Sequence, residues 1–132
     1  MQTWRYLFAG SAVLFALGVV VQIFLAGFGI SRLGSQGMQA HIDFGYMLSL
    51  VPILPLVLAW AARAGRQTIV MCAVLLVITF VQTLLPLPRD GMPWISALHP
   101  LTAFVVLGLA IMVARRAIDL ARTEPAPATP QS

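Results

Sequence analysis

The stretch YLFAGSAVLFALGVVVQIFLAGFGI, residues Tyr6–Ile30, is 25 residues long and contains no charged side chain. About 20 apolar residues are enough for a helix to cross the roughly 30 Å hydrocarbon core of a bilayer. The stretch is also longer than the apolar region of about 7–15 residues found in secretory signal peptides. We therefore interpret it as a permanent membrane-spanning helix.

Three more apolar runs follow the first one. The four predicted spans cover about residues 6–30, 39–62, 68–87 and 94–114. Because the links between the spans are short, consecutive helices must lie antiparallel and side by side. We predict an all-α fold, a transmembrane up-down four-helix bundle formed by residues 1–122. Residues 123–132 are polar and proline-rich, a composition that predicts a disordered C-terminal tail.

The composition agrees with a membrane protein. Of the 132 residues, 60% are hydrophobic and only 9% are charged, whereas soluble domains carry roughly 25% charged residues. The net charge of +4 comes from arginines that form no dense basic cluster, which argues against a nucleic-acid partner. The single cysteine, Cys72, excludes an internal disulfide and a CxxC metal site. The expected environment is the lipid bilayer.

The arginines predict the orientation of the bundle. A cytoplasmic N-terminus places six arginines on the inner side, and Arg32 and Arg89 alone on the outer side; the six are Arg5, Arg63, Arg66, Arg115, Arg116 and Arg122. Cytoplasmic loops of membrane proteins carry an excess of positive charge. We therefore expect both termini to be cytoplasmic.

Four polar side chains inside the spans form a repeated pattern. Gln22 lies late in span one and His41 opens span two, while Gln82 lies late in span three and His99 opens span four. The pattern predicts a parallel duplication of one helical hairpin. All four residues then lie in the outer half of the bundle, and the two histidines face each other from diagonal helices. Polar groups inside a membrane are costly and usually mark a site.

Two matched histidines on diagonal helices suit a haem b, which takes one axial imidazole from each side. We predict one low-spin haem per chain with His41 and His99 as iron ligands. Small residues one turn after each histidine favour a cavity, although small residues also permit close helix packing. The predicted cofactor contacts are Gln22 and Gln82 near the imidazoles or propionates, Gly45 and Ala103 beneath the histidines, and Arg32 and Arg89 near the propionates.

Such a haem favours an electron-transfer protein over an enzyme, acting near the outer face with a quinol or a redox protein as the other party. A homodimer or a larger membrane complex fits the same pattern. The main alternative is a structural or accessory protein whose His/Gln layer holds the helices in register. A third is a small transporter or proton pathway that uses His41, His99 and Asp43, although no carboxylate lies deep in the spans. Zinc is less suitable because no thiolate or carboxylate completes its usual four ligands.

Several short motifs carry a family resemblance. They are Val-Val-Gln-Ile-Phe-Leu-Ala-Gly in span one, His41 followed by Gly45, Val-Gln near the end of span three, and Ala-Leu-His-Pro in span four. Together they resemble a family of small bacterial four-span membrane proteins of unknown function. The layout is more distantly similar to membrane cytochromes b that hold haem between histidines. This resemblance implies a place in the bacterial cytoplasmic (inner) membrane and iron ligands at His41 and His99.

The orientation can be tested by labelling single cysteines in intact cells. A cysteine placed within Ser31–Gly37 is expected to react with an impermeant thiol reagent from outside, whereas a cysteine in the C-terminal tail is not, because the arginine distribution places these segments on opposite sides. The opposite labelling pattern would reverse the orientation and move the histidines to the inner face.

Overall fold

The computed structural model describes residues 1–32, 35–87 and 90–123; for residues 32 and 35–37 it describes the backbone alone. All regular structure in this part of the chain is α-helical. The helices are α1 (Gln2–Arg32), α2 (Ser35–Leu50), α3 (Ile53–Ala61), α4 (Arg66–Leu84), α5 (Pro93–Ser96) and α6 (Leu98–Arg122). Residues 124–132, where a disordered tail is predicted, lie outside the described residues.

Four segments are long and apolar enough to cross a membrane, as predicted. They are Gln2–Ser31, Met38–Ala61, Arg66–Leu84 and Pro93–Arg122. The fourth segment is longer than the predicted 94–114, because α6 continues through Arg115 and Arg116. Long arginine side chains can lie along an apolar helix while their charged ends reach water, so these charges do not end the helix. The chain is a multi-pass membrane protein.

Pro52 and Pro55 predict a bend in the second span, and the span is interrupted at the first of these prolines. Helix α2 ends at Leu50 and α3 begins at Ile53, so the break falls at Val51 and Pro52. Proline has no amide hydrogen to donate to the preceding helical turn. The backbone instead makes tight turns, in which Val51 N–H donates to Leu48 O over 3.1 Å and Leu54 N–H donates to Val51 O over 3.0 Å.

The helices form a four-membered ring of contacts. Helix α1 packs against α6 on one side and against α2 and α3 on the other, while α4 also packs against α2, α3 and α6. The α2–α3 span therefore lies diagonally opposite α6, which is the arrangement that the short links predict. Each histidine-bearing span is thereby placed across the bundle axis from the other.

The two halves of the bundle are packed differently. The half that contains the chain start and the α3–α4 turn, here called the arginine half, has a close-packed core; its fully or almost fully buried side chains include Phe8, Phe15, Leu75, Cys72 and Val113. The other half, residues 20–47 and 80–105, is here called the histidine half. Among its described residues only Gly29 is buried. The arginine half thus has a buried core, whereas the described residues of the histidine half, Gly29 excepted, stay partly or fully exposed.

The turn between α3 and α4 contains a strained residue. Arg63 has φ +53° and is the one non-glycine residue with positive φ in the described chain, and Gly65 follows with φ +82°. Two backbone hydrogen bonds close the turn, from Arg63 N–H to Trp60 O (3.1 Å) and from Ala64 N–H to Ala59 O (2.9 Å). A left-handed backbone usually carries glycine at the end of a helix, and a side chain there costs about 1–2 kcal/mol.

Candidate functional site

The first polar pair of the histidine half joins α1 to α2. Gln22 Nε2 donates to the backbone oxygen of His41 over 2.8 Å. In return, His41 Nδ1 lies 3.1 Å from the backbone oxygen of Gln22. Each residue thus uses its side chain to bind the backbone of the other, and the two helices are held in one axial register.

The second pair repeats this arrangement between α4 and α6. Gln82 Nε2 donates to His99 O over 2.6 Å, and His99 Nδ1 lies 2.9 Å from Gln82 O. Thr102 adds a contact that the first pair lacks, because its hydroxyl donates to Gln82 Oε1. The corresponding oxygen, Gln22 Oε1, is buried and has no hydrogen-bond partner among the described residues. The two hairpins therefore share the reciprocal Gln–His pair, as the predicted repeat requires.

The backbone partners determine which ring nitrogen of each histidine carries the proton. A carbonyl oxygen only accepts hydrogen bonds, so Nδ1 of His41 and of His99 must be the donor. In a neutral imidazole the other nitrogen, Nε2, then presents a lone pair. Neither Nε2 makes a hydrogen bond within the described part of the chain. An Nδ1–H bonded to a backbone carbonyl is the usual setting of a metal-binding histidine, since it fixes the tautomer and the ring orientation.

The two imidazoles meet across the bundle axis. Their ring centroids are 6.0 Å apart and their planes are nearly perpendicular, at 89°. Metal–imidazole bonds are about 2.0–2.1 Å long, so two imidazoles that bind one metal from opposite sides have centroids roughly 6 Å apart. The separation therefore matches that of a pair of axial ligands. Both histidines are half-buried and lie in the histidine half of the bundle.

Other side chains add few ligands to this pair. Among the described residues, no group of three or more His, Cys, Asp or Glu side chains is close enough to hold a metal ion. Asp43 is exposed and its Oδ1 accepts a hydrogen bond from Gln39 Nε2 over 2.8 Å, which is a pairing within one helix. The two imidazoles could thus supply two ligands to a metal, and the described residues offer no third His, Cys, Asp or Glu ligand beside them.

The remaining predicted site residues fall into different places. A Cβ atom on Gly45 would lie 2.6 Å from Gln22 Nε2, so this glycine makes room for the amide. Ala103 is half-buried one turn after His99. The predicted contacts of Arg32 and Arg89 with propionates lie outside the described residues, since the structure describes neither side chain. Those two contacts stay predictions.

Sequence reasoning identified the four polar residues but missed how they bind each other. It expected the glutamines to bond an imidazole or a propionate, whereas each amide donates to a histidine backbone. It also missed Thr102, whose place three residues after His99 in a helical span was the available signal. Residues three apart in a helix lie on the same face, so Thr102 lies on the face of His99, which packs against Gln82.

A comparison with known protein families gives a match over half of the chain. The model of a family of unknown function, DUF6220, matches residues 22–87. This match includes Gln22, His41 and Gln82 and ends before His99. No curated protein and no solved structure matches the chain.

The contact between Gly45 and Gln22 can be tested by a double-mutant cycle. Gly45→Ala adds a methyl group that displaces the amide from His41 O, so we expect a loss of about 1 kcal/mol of folding stability from the broken hydrogen bond. The gain of alanine over glycine in a helix, about 0.5–1 kcal/mol, opposes this loss, and in a Gln22→Ala background, where the bond is already absent, only that gain is expected. Thermal unfolding in detergent measures both values.

Gly108→Ala is the matched control, because nothing lies within 4 Å of a Cβ at that position. There we expect the same small gain in both backgrounds, as alanine favours helix over glycine by about 0.5–1 kcal/mol. An equal effect of Gly45→Ala with and without Gln22 would show that the amide is not held in this way.

Proposed function

We propose that this chain, which belongs to the DUF6220 family, is a membrane haem b-binding protein that serves electron transfer. The observation that carries the proposal is the pair of imidazoles 6.0 Å apart on diagonal helices, each with its Nδ1 engaged by a backbone carbonyl. His41 and His99 would hold the iron through their Nε2 atoms. A haem with two imidazole ligands is six-coordinate, a state that suits electron transfer over oxygen binding.

The ligand count favours haem over a bare metal ion. Zinc in proteins takes about four ligands from side chains or water, and the described residues offer two histidines without a third ligand. A porphyrin brings four nitrogens of its own and needs one ligand from each side. The chain's two imidazoles therefore complete a haem and leave a zinc ion incomplete.

The low burial of the histidine half favours the proposal of a large bound group. Membrane helices usually gain stability from close packing, because lipid provides no hydrophobic force between them. In this half only Gly29 of the described residues is buried, so the described side chains leave surface that a bound group could cover. A flat cofactor between the helices would cover this surface, and the half-buried Ala103 offers little bulk against it.

The protein's own residues would orient the ligands. The backbone oxygens of Gln22 and Gln82 fix the rings, and the amides of the same residues fix the histidine backbones. Arg32 and Arg89 remain proposed partners for the propionates. With the proposed orientation, the site lies near the outer face of the bacterial inner membrane, where a quinol or a redox protein would exchange electrons with it.

A purely structural role for the His/Gln layer is the second candidate. The observation that favours it is that each amide and each Nδ1 already binds the neighbouring helix. Such a layer would hold the four helices in register without any cofactor. It leaves the two Nε2 lone pairs unexplained, whereas haem ligation uses both.

The visible spectrum of the purified protein, expressed with ample haem, separates these two functions. We expect about one haem b per chain with a low-spin reduced-minus-oxidised spectrum. His41→Ala and His99→Ala each remove a ligand that nothing else in the site replaces, so each variant is expected to lose haem or become five-coordinate and high-spin.

Met47→Leu is the control, since Met47 lies in the same helix as His41 with 69% of its surface exposed and removing its sulfur should leave the spectrum unchanged. A colourless wild-type protein would refute haem binding and favour the structural role. Retention of a low-spin spectrum by either alanine variant would exclude that histidine as a ligand.

A further inference from the structure

A cavity lies at the opposite end of the bundle from the histidines. It has a volume of about 390 Å³ and is lined by Met1, Trp4, Trp60, Ala61 and Arg63. It lies where α1 begins and α3 ends. The cavity therefore opens at one boundary of the membrane-spanning region, and it is independent of the proposed haem site.

The backbone turn at this cavity does not need an arginine. Arg63 adopts a left-handed conformation with φ +53°, in which glycine is the least strained residue. The hydrogen bonds that close the turn use backbone atoms alone. The arginine side chain thus adds strain to the turn, and an observed outlier of this kind points to a function of the side chain.

The charged group of Arg63 is free to bind a ligand. Arg5 donates to Thr123 O over 3.0 Å and Arg116 donates to Gln67 Oε1 over 3.1 Å. Arg63, by contrast, makes no side-chain hydrogen bond or ion pair within residues 1–32, 35–87 and 90–123. A guanidinium carries five N–H donors in a planar fork that matches the oxygens of a phosphate.

The other lining residues fit an amphiphilic ligand. No acidic residue lines the cavity, and two tryptophans flank the arginine. Tryptophan combines an apolar ring with one N–H donor and is enriched where hydrocarbon meets water. Trp60 is 74% exposed and Trp4 is 46% exposed, so both rings face the surroundings of the bundle.

We propose that this Trp–Arg cavity binds the headgroup of an anionic phospholipid. Arg63 binds the phosphate, and Trp4 and Trp60 pack against the glycerol and the first carbons of the acyl chains. A soluble phosphate would use the arginine but not the two exposed aromatic faces. The combination of a free guanidinium with apolar walls at the membrane boundary therefore favours a lipid.

The intrinsic tryptophans allow a direct test with the full-length protein in detergent. Trp94 lies near the opposite end of the bundle, so a Trp94→Phe variant leaves Trp4 and Trp60 as the two reporters at the cavity. We expect brominated phosphatidylglycerol to quench their fluorescence at a lower mole fraction than brominated phosphatidylcholine. A Trp4→Phe/Trp60→Phe variant reports from Trp94 alone and is expected to show no such preference.

Arg63→Gln and Arg66→Gln form a matched pair, because each removes one positive charge from the α3–α4 turn while only Arg63 lines the cavity. We expect Arg63→Gln to reduce the preference for phosphatidylglycerol at least about fivefold, as for a lost charge-assisted hydrogen bond, and Arg66→Gln to leave it nearly unchanged. Arg63→Gly is expected to lose the preference and yet unfold at a higher temperature without lipid, since it relieves the left-handed strain.

Three results would overturn the proposal. Equal quenching by the two lipids would show no headgroup preference. Equal losses in Arg63→Gln and Arg66→Gln would indicate attraction by general surface charge. Suppression of the preference by inorganic phosphate at constant ionic strength would indicate a site for the free anion. None of these outcomes depends on whether the protein binds haem.

Discussion

Lipid provides no hydrogen bonds, and this constraint governs how the polar residues of the chain are arranged. A polar group in the hydrocarbon must find its partner within the protein. Gln22 and Gln82 find theirs on the backbone of the histidine opposite, and each histidine returns a hydrogen bond to the glutamine backbone. These bonds fix the register of α1 with α2 and of α4 with α6. They also fix the tautomer that leaves both Nε2 atoms free.

The two halves of the bundle are held together by different interactions. In the arginine half, side chains such as Phe15 and Val113 fill the space between helices, and close contact stabilises the helices against each other. In the histidine half, the Gln–His pairs hold adjacent helices together, and of the described residues only Gly29 is buried. Interhelical hydrogen bonds thus have the role in this half that buried side chains have in the arginine half. This low burial around the imidazoles is one basis of the proposal that a cofactor lies between them.

The two proposed sites use opposite ends of the fold and different chemistry. The histidine end offers lone pairs to a metal, whereas the Trp–Arg cavity offers N–H donors to an anion. Strain marks the second site: the left-handed backbone at Arg63 would be easier for glycine. The first site is marked by repetition, since the same reciprocal pair occurs in both hairpins. The left-handed backbone at Arg63 and the repeated Gln–His pair are independent observations.

The sequence determined the number of spans, their order and the residues of the polar layer. Those features follow from local properties, because span length and hydropathy decide which segments cross a bilayer. Pro52 likewise predicts the break between α2 and α3, because proline cannot donate a backbone hydrogen bond. The helix ends were less predictable: α6 continues to Arg122, because apolar periodicity does not reveal how far a charged helical turn extends.

Tertiary structure decided what the polar residues do. Whether Gln22 bonds an imidazole, a propionate or a backbone depends on the rotation and axial offset of α1 against α2, which no spacing within one helix contains. The same holds for Thr102 on Gln82 and for Gly45 beneath Gln22. The 6.0 Å separation of the imidazoles depends on the placement of all four spans. The sequence identified the two histidines, and the mutual placement of the helices brings their rings together.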